Sequence, residues 1–243
     1  KLISKIYLPM KKIFHKTNLY ITCCRPRQWM KNLLCISAFI ITPVSLQGNI
    51  ETLFLTTISF IFASSFIYVI NDLLDIESDK EHPIKKFRPI AFGSIKMNEA
   101  LILSILLFFS SIGSALNANN EVFFTIMTYI ALHLIYCFWG KNKSIADIFF
   151  IASGFILRAY AGVVSLNTSP SPWFLITAGS LALFLAIQKR KSELIRISET
   201  SSQINSSRKV LMSYNEKFLE NIEMLSLNSV FISYMLWASG PIL

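Results

Sequence analysis

The stretch from Thr52 to Asp79 reads TLFLTTISFIFASSFIYVINDLLDIESD. Residues 52–70 carry no charge, and a helix of that length rises far enough to cross a hydrocarbon core of about 30 Å. A soluble chain breaks its apolar runs at about 10–14 residues. No water competes for backbone groups inside a bilayer, so such a run satisfies its N–H and C=O groups only as helix. The apolar run then turns acidic. Asp72, Asp75 and Asp79 follow at i, i+3 and i+7, the spacing of one helix face continuing out of the membrane.

Working outward, the same pattern recurs. Spans are expected at approximately 32–47, 52–70, 98–117, 122–139, 147–166, 173–188 and 219–240. The fold class is therefore all-α, a polytopic transmembrane helix bundle of about seven spans forming one domain over 1–243. Composition agrees: 53% of residues are hydrophobic and only 15% charged, against about 25% charged in soluble domains. Lys1 opens the chain and Leu243 closes it inside apolar sequence, so further C-terminal helices are expected beyond it.

Net charge is +9, and its placement sets the topology. Residues 1–31 hold eight Lys or Arg and no acid, and 22 of the 23 basic residues fall there or in the loops after the second, fourth and sixth spans. By the positive-inside rule these regions are cytoplasmic. Because each basic cluster sits beside a membrane end, nucleic acid is not an expected partner. The basic segment 1–31 has no signal-peptide layout and suits a position flat on anionic lipid. Cys23, Cys24, Cys35 and Cys137 show no CxxC spacing, which suggests neither a disulfide framework nor a zinc site. Ser198–Ser207 reads as a flexible linker.

Three carboxylates on one helix face repel each other, and a divalent cation removes that penalty. Magnesium favours hard oxygen ligands, usually a few carboxylates plus substrate phosphates. Asn71 adds a neutral oxygen. The acids stand where mainly bases are expected, and Lys80, Lys85, Lys86 and Arg88 follow at once. Acids for a metal beside cations for phosphate is the arrangement a diphosphate substrate needs. The blander reading is a solvated acidic helix end.

Asn71-Asp72-x-x-Asp75-x-x-x-Asp79, then Arg88-Pro89-Ile90-Ala91-x-Gly93, resembles the UbiA superfamily of intramembrane prenyltransferases, with a likeness running from Arg25-Pro26-Arg27-Gln28-Trp29 to Glu193. The resemblance implies an all-helical bundle, usually of nine spans, that uses Mg2+ and a polyprenyl substrate. Most of that superfamily carries a second acidic motif after the sixth span. Here Gln188-Lys189-Arg190-Lys191-Ser192-Glu193 stands instead, three cations and one acid, a setting for phosphate and not for a second metal. This looks like the decaprenyl-phosphate phosphoribosyltransferase branch, as do His82-Pro83-x-Lys85-Lys86-Phe87-Arg88-Pro89 and Gly154-Phe155-x-Leu157-Arg158-Ala159-x-Ala161-Gly162.

That branch implies transfer of 5-phosphoribose from phosphoribosyl pyrophosphate to a polyprenyl phosphate, releasing pyrophosphate, in a bacterial plasma membrane with the site facing the cytoplasm. Asp72, Asp75 and Asp79 are the expected catalytic metal ligands, Asp79 directly or through water. Asn71, Lys85, Lys86 and Arg88 join the substrate site, Lys86 and Arg88 on the pyrophosphate. Lys189 and Arg190, with Glu193 beside them, face the remaining phosphates. Tyr136 and Lys141 flank the loop where the family's pocket closes, although Tyr136 also suits an interfacial belt.

Arg27 and Lys31 suit either substrate or lipid headgroups. Arg158, about eleven residues into the fifth span, either lines the site or braces neighbouring helices. Asp147 suits a ligand or a helix cap, and His133 a packed helix position. The competing functions are prenyl transfer to an aromatic acceptor, and transport. Against transport stands the gathering of polar residues at one membrane face instead of the midplane. Homo-oligomerisation is left open by the sequence.

Overall fold

A computed structural model describes residues 16–41, 50–199 and 216–240. Every regular element among them is helical. A helical stretch over 16–23 (α1) leads into a 3-10 helix, Pro26–Leu33, and then α2, Leu34–Ile41. The remaining helices are α3 (Ile50–Leu74), α4 (Ile76–Glu81), α5 (Met97–Ala118), α6 (Asn120–Phe138), α7 (Ser144–Ser165), α8 (Pro172–Glu199) and α9 (Glu216–Ser239). Short 3-10 turns at Lys85–Phe87 and Gly140–Asn142 interrupt the connections.

Five helices, α3, α5, α6, α7 and α8, are long and apolar enough to cross a membrane, and they coincide with the second to sixth expected spans. The chain is a multi-pass membrane protein. The first expected span, 32–47, does not begin as α-helix. Arg25 in left-handed geometry (φ 51°) and Pro26 turn the chain into the 3-10 segment, and only Leu34–Ile41 follows as described α-helix. Residues 42–47 of that span, residues 1–15 of the basic segment and most of the expected linker lie outside the described residues. Ser198 instead belongs to α8, which runs well past the expected end at 188. The seventh expected span is a full helix, α9, with Glu216, Lys217, Glu220 and Glu223 in its first two turns, and it is not among the five.

α3 and α7 are the inner helices, with 61% and 56% of their apolar windows buried, against 28–33% for α5, α6 and α8. Lipid is as apolar as Leu, so small and polar residues hold membrane helices together. α3 meets α5 through Ser59 and Ser111, each hydroxyl donating to the other's backbone carbonyl at 2.8 and 3.0 Å. α2 crosses α7 so closely that a Cβ on Gly162 would lie 2.1 Å from the Cys35 carbonyl oxygen. α8 pairs with α9 through Thr177 and Ser233 (2.9 Å), and Lys191 with Glu223 (2.5 Å). This packing brings the ends of α3, α7 and α8 and the 3-10 segment into one polar region.

Candidate active site

The acidic ladder is bent. α3 ends at Leu74, Asp75 takes a non-helical turn (φ −100°, ψ 10°), and α4 restarts at Ile76. The expected single face of three carboxylates therefore divides. Asp72 and Asp79, both buried, converge on Arg88, whose guanidinium donates to Asp72 Oδ1 at 3.1 Å and Asp79 Oδ2 at 2.6 Å. Asp75 turns instead to Asn71, which donates at 3.0 Å, and to the Lys141 ammonium.

A second arginine completes the Asp72 pair. Arg25 hydrogen-bonds Asp72 and lies 4.8 Å over the Tyr68 ring. The sequence reading passed over Arg25 in favour of Arg27, which is exposed and makes no ion pair among the described residues. Only the left-handed turn at Arg25, which redirects the chain ahead of Pro26, distinguishes the two. Trp29 fixes that turn, donating its indole N–H to Cys24 O and Ser65 Oγ, 3.1 Å each. Burial and the neighbouring Asp72 charge push the Cys23 thiol up to about 12, so it is no thiolate nucleophile.

Across the region, Asp147 at the start of α7 accepts from Tyr136 Oη at 2.9 Å and from Arg190 Nε at 2.6 Å, and Arg190 also pairs with Glu193. Asp147 thus brings Tyr136, Arg190 and Glu193 together. Arg190, however, is engaged by two carboxylates, while Lys189 is 64% exposed and only 4.0 Å from Glu193. Asp147 is an ion-pair partner and not the helix cap, since Lys143 occupies the N-cap position.

Arg158 is buried and fully tied. Its Nε donates to Asn32 Oδ1 (2.8 Å), one terminal nitrogen to Gly154 O (2.7 Å) and the other to Tyr129 Oη (2.8 Å). His133 stacks on Tyr129 with centroids 4.0 Å apart, a packed position as read from sequence. Lys31 has no ion pair among the described residues. Desolvation, then the positive charges of Arg158, Lys189 and Arg25, push its amine down to about 8. Positive charges from Arg158, Lys189 and Arg25 thus bear on Lys31, and an anion would relieve their repulsion. Among the described residues Lys85 and Lys86 make no ion pair to the carboxylates, and Lys86 lies 5.3 Å from the Phe87 ring.

The sequence profile of the UbiA prenyltransferase family matches residues 32–197. The chain belongs to that family. Among UbiA relatives, the decaprenyl-phosphate phosphoribosyltransferase of Corynebacterium glutamicum is 38% identical over 222 residues, covering 89% of this chain and 66% of that protein. That of Mycobacterium tuberculosis is 33% identical over 227 residues, covering 90% and 73%. The chain spans about two thirds to three quarters of these relatives' length. Its fold matches a UbiA homolog from Archaeoglobus fulgidus solved with DMAPP and Mg2+, at a TM-score of 0.69 and 21% identity over 90% of this chain and 76% of that one.

Among the described residues no three His, Cys, Asp or Glu side chains converge as a ready metal cage. The donor chemistry nevertheless suits a hard cation. Asp79 Oδ1 is buried without a hydrogen-bond partner, an expensive state for a carboxylate oxygen that a cation relieves. The oxygens of Asp72, Asp79 and Asp75 are of the type magnesium prefers.

Proposed function

We propose that the chain is a magnesium-dependent transferase that moves 5-phosphoribose from phosphoribosyl pyrophosphate to a polyprenyl phosphate and releases pyrophosphate. The observation that carries this reading is the pairing of two unlike neighbourhoods. One holds buried carboxylates, Asp72 and Asp79, with Arg88 across them. The other holds cations, Lys31 with no ion pair among the described residues and Lys189 exposed with Glu193 4.0 Å away, where a second acidic motif would serve prenyl diphosphate. Identity of 33–38% to phosphoribosyltransferases over most of the chain supports the same assignment.

In this reading Asp72 and Asp79 would hold Mg2+, joined by Asp75 once it is released from Lys141, and the ion when bound would neutralise the departing pyrophosphate. Arg88, Arg25 and Lys141 exchange their carboxylate partners for donor phosphate oxygens. Lys31 and Lys189 take a further phosphate group. An acceptor phosphate oxygen forms the bond to the anomeric carbon as the bond to pyrophosphate breaks. That oxygen is already anionic, so no general base is required. Acceleration comes from positioning and charge neutralisation. The site faces the cytoplasm, by the distribution of basic residues.

The test uses the full-length protein in detergent with ribose-labelled phosphoribosyl pyrophosphate, polyprenyl phosphate and Mg2+. Label entering the lipid phase is expected, and its loss in Asp72→Ala and Asp79→Ala ties it to this site. No labelled lipid, alongside prenylation of an aromatic acid from a polyprenyl diphosphate, would overturn the sugar donor.

A further inference from the structure

Ile84, Phe87 and Phe92 lie in the connection between α4 and α5, outside every candidate span, yet are 76%, 67% and 66% exposed. Exposed apolar side chains on the spans face lipid and need no further account. These three do need one. The connection is not slack. Ile90, Ala91 and Ile95 are buried beneath it, Arg88 is held by Asp72 and Asp79, and Phe92 N donates to Arg88 O at 2.8 Å. Gly93 closes the turn at φ +82°, a left-handed conformation open to glycine. The exposed side chains are therefore presented by a fixed turn.

Two observations identify what covers them. First, residues 82–96 contain Lys85, Lys86, Arg88 and Lys96 and no Asp or Glu, so the partner is anionic. Second, the connection runs in sequence directly into the exposed apolar flank of α5. Met97, Leu101, Ile105 and Phe109 are all exposed and recur at four-residue spacing, one row along the helix. Phe92 stands five residues before Met97, the first residue of that span. Apolar side chains interleaved with lysines beside a span are the composition of an interfacial segment.

We propose that the α4–α5 connection is a membrane-surface anchor. Ile84, Phe87 and Phe92 enter the headgroup–acyl boundary of the bilayer the protein spans, and Lys85, Lys86 and Lys96 pair with its anionic lipid phosphates. Because Arg88 stands on this turn, the anchor also fixes the cation that joins Asp72 to Asp79. The inference holds whichever group the site transfers.

Nitroxide labels at Ile84→Cys, Phe87→Cys and Phe92→Cys in the full-length protein in nanodiscs test it, with Glu77→Cys on α4 as the aqueous reference and unsubstituted protein as the labelling blank. Collision with oxygen is expected to exceed collision with a water-soluble nickel chelate several-fold relative to the reference. The excess is expected to be larger with phosphatidylglycerol present than with phosphatidylcholine alone, and Lys85→Glu with Lys86→Glu is expected to remove that difference. Reference-like collision at all three positions overturns the anchor in favour of a cytosolic patch. Protection from both reagents overturns it in favour of a protein cover. Equal immersion in both lipids overturns the charge recognition.

Discussion

Arg158 and Asn32, 126 positions apart, are joined by a 2.8 Å hydrogen bond from the guanidinium Nε to the amide Oδ1. Tyr129 and Gly154 take the two terminal nitrogens, so a single side chain on α7 ties together α6 and the 3-10 segment that carries Lys31. Hydrogen bonds to a charged group contribute about 1.5–3 kcal/mol each, non-additively. Arg158→Met is expected to lower stability by roughly 3 kcal/mol, read as an earlier melting transition in detergent. Arg158→Lys keeps the charge but not the fork of donors, and is expected to recover less than half of that loss.

The Asp72–Arg88–Asp79 bridge predicts coupled effects. Asp79→Asn and Arg88→Gln are each expected to lower turnover by roughly 100-fold, the scale of removing one preorganised charged group from a site. Their effects on melting are expected to be less than additive in the double variant, because both changes break the same Arg88–Asp79 ion pair. Additive melting shifts would show that the bridge is not a unit.

Chelation of divalent cations is expected to abolish transfer while leaving the melting temperature nearly unmoved. Asp72, Asp75 and Asp79 already have Arg25, Lys141 and Arg88 as partners, so the fold does not rest on the metal. A large drop in melting temperature on adding EDTA would contradict this.

The crowding of Lys31 by Arg158, Lys189 and Arg25 gives a pH signature. Its folded pKa, about 8, lies below the ordinary 10.5, so between those values the unfolded chain holds a proton that the folded one lacks. Stability from this group therefore rises as pH increases from about 8 towards 10.5, and below 8 the folded state carries the repulsion. Substrate binding moves the opposite way. Apparent affinity for the phosphate-bearing substrates is expected to weaken as pH rises through about 8, and Lys31→Met is expected to flatten that limb of the KM profile.

Gly162→Ala is expected to cost at least about 1–3 kcal/mol, the range for overpacking. Its Cβ would meet backbone, the Cys35 carbonyl at 2.1 Å, and not a movable side-chain tip. The shift of α2 against α7 also strains the Arg158–Asn32 bond, so melting temperature and turnover are expected to fall together.

The second to sixth spans and the acidic run at the end of α3 were legible because both are local: an uncharged run and a spacing on one helix. Asp75 departed from the ladder because a one-residue turn rotates it towards Lys141 from a distant loop. Nothing in NDLLDIESD announces that turn. Arg190 read as a phosphate ligand, yet Asp147 and Glu193 engage it; its neighbour Lys189 has no such fork. Such choices between adjacent cations depend on which acid another helix delivers, and spacing along one helix does not encode it.

Because Arg25, Arg88, Lys141 and Arg190 each already hold a carboxylate, occupancy of the proposed site is expected to be ion exchange and not simple filling. The measured affinity of any ligand is the difference between two paired arrangements, which favours molecules bearing several anionic groups over larger ones bearing one. A neutral ligand, however well shaped, has no counter-charge to trade and would leave these ion pairs closed.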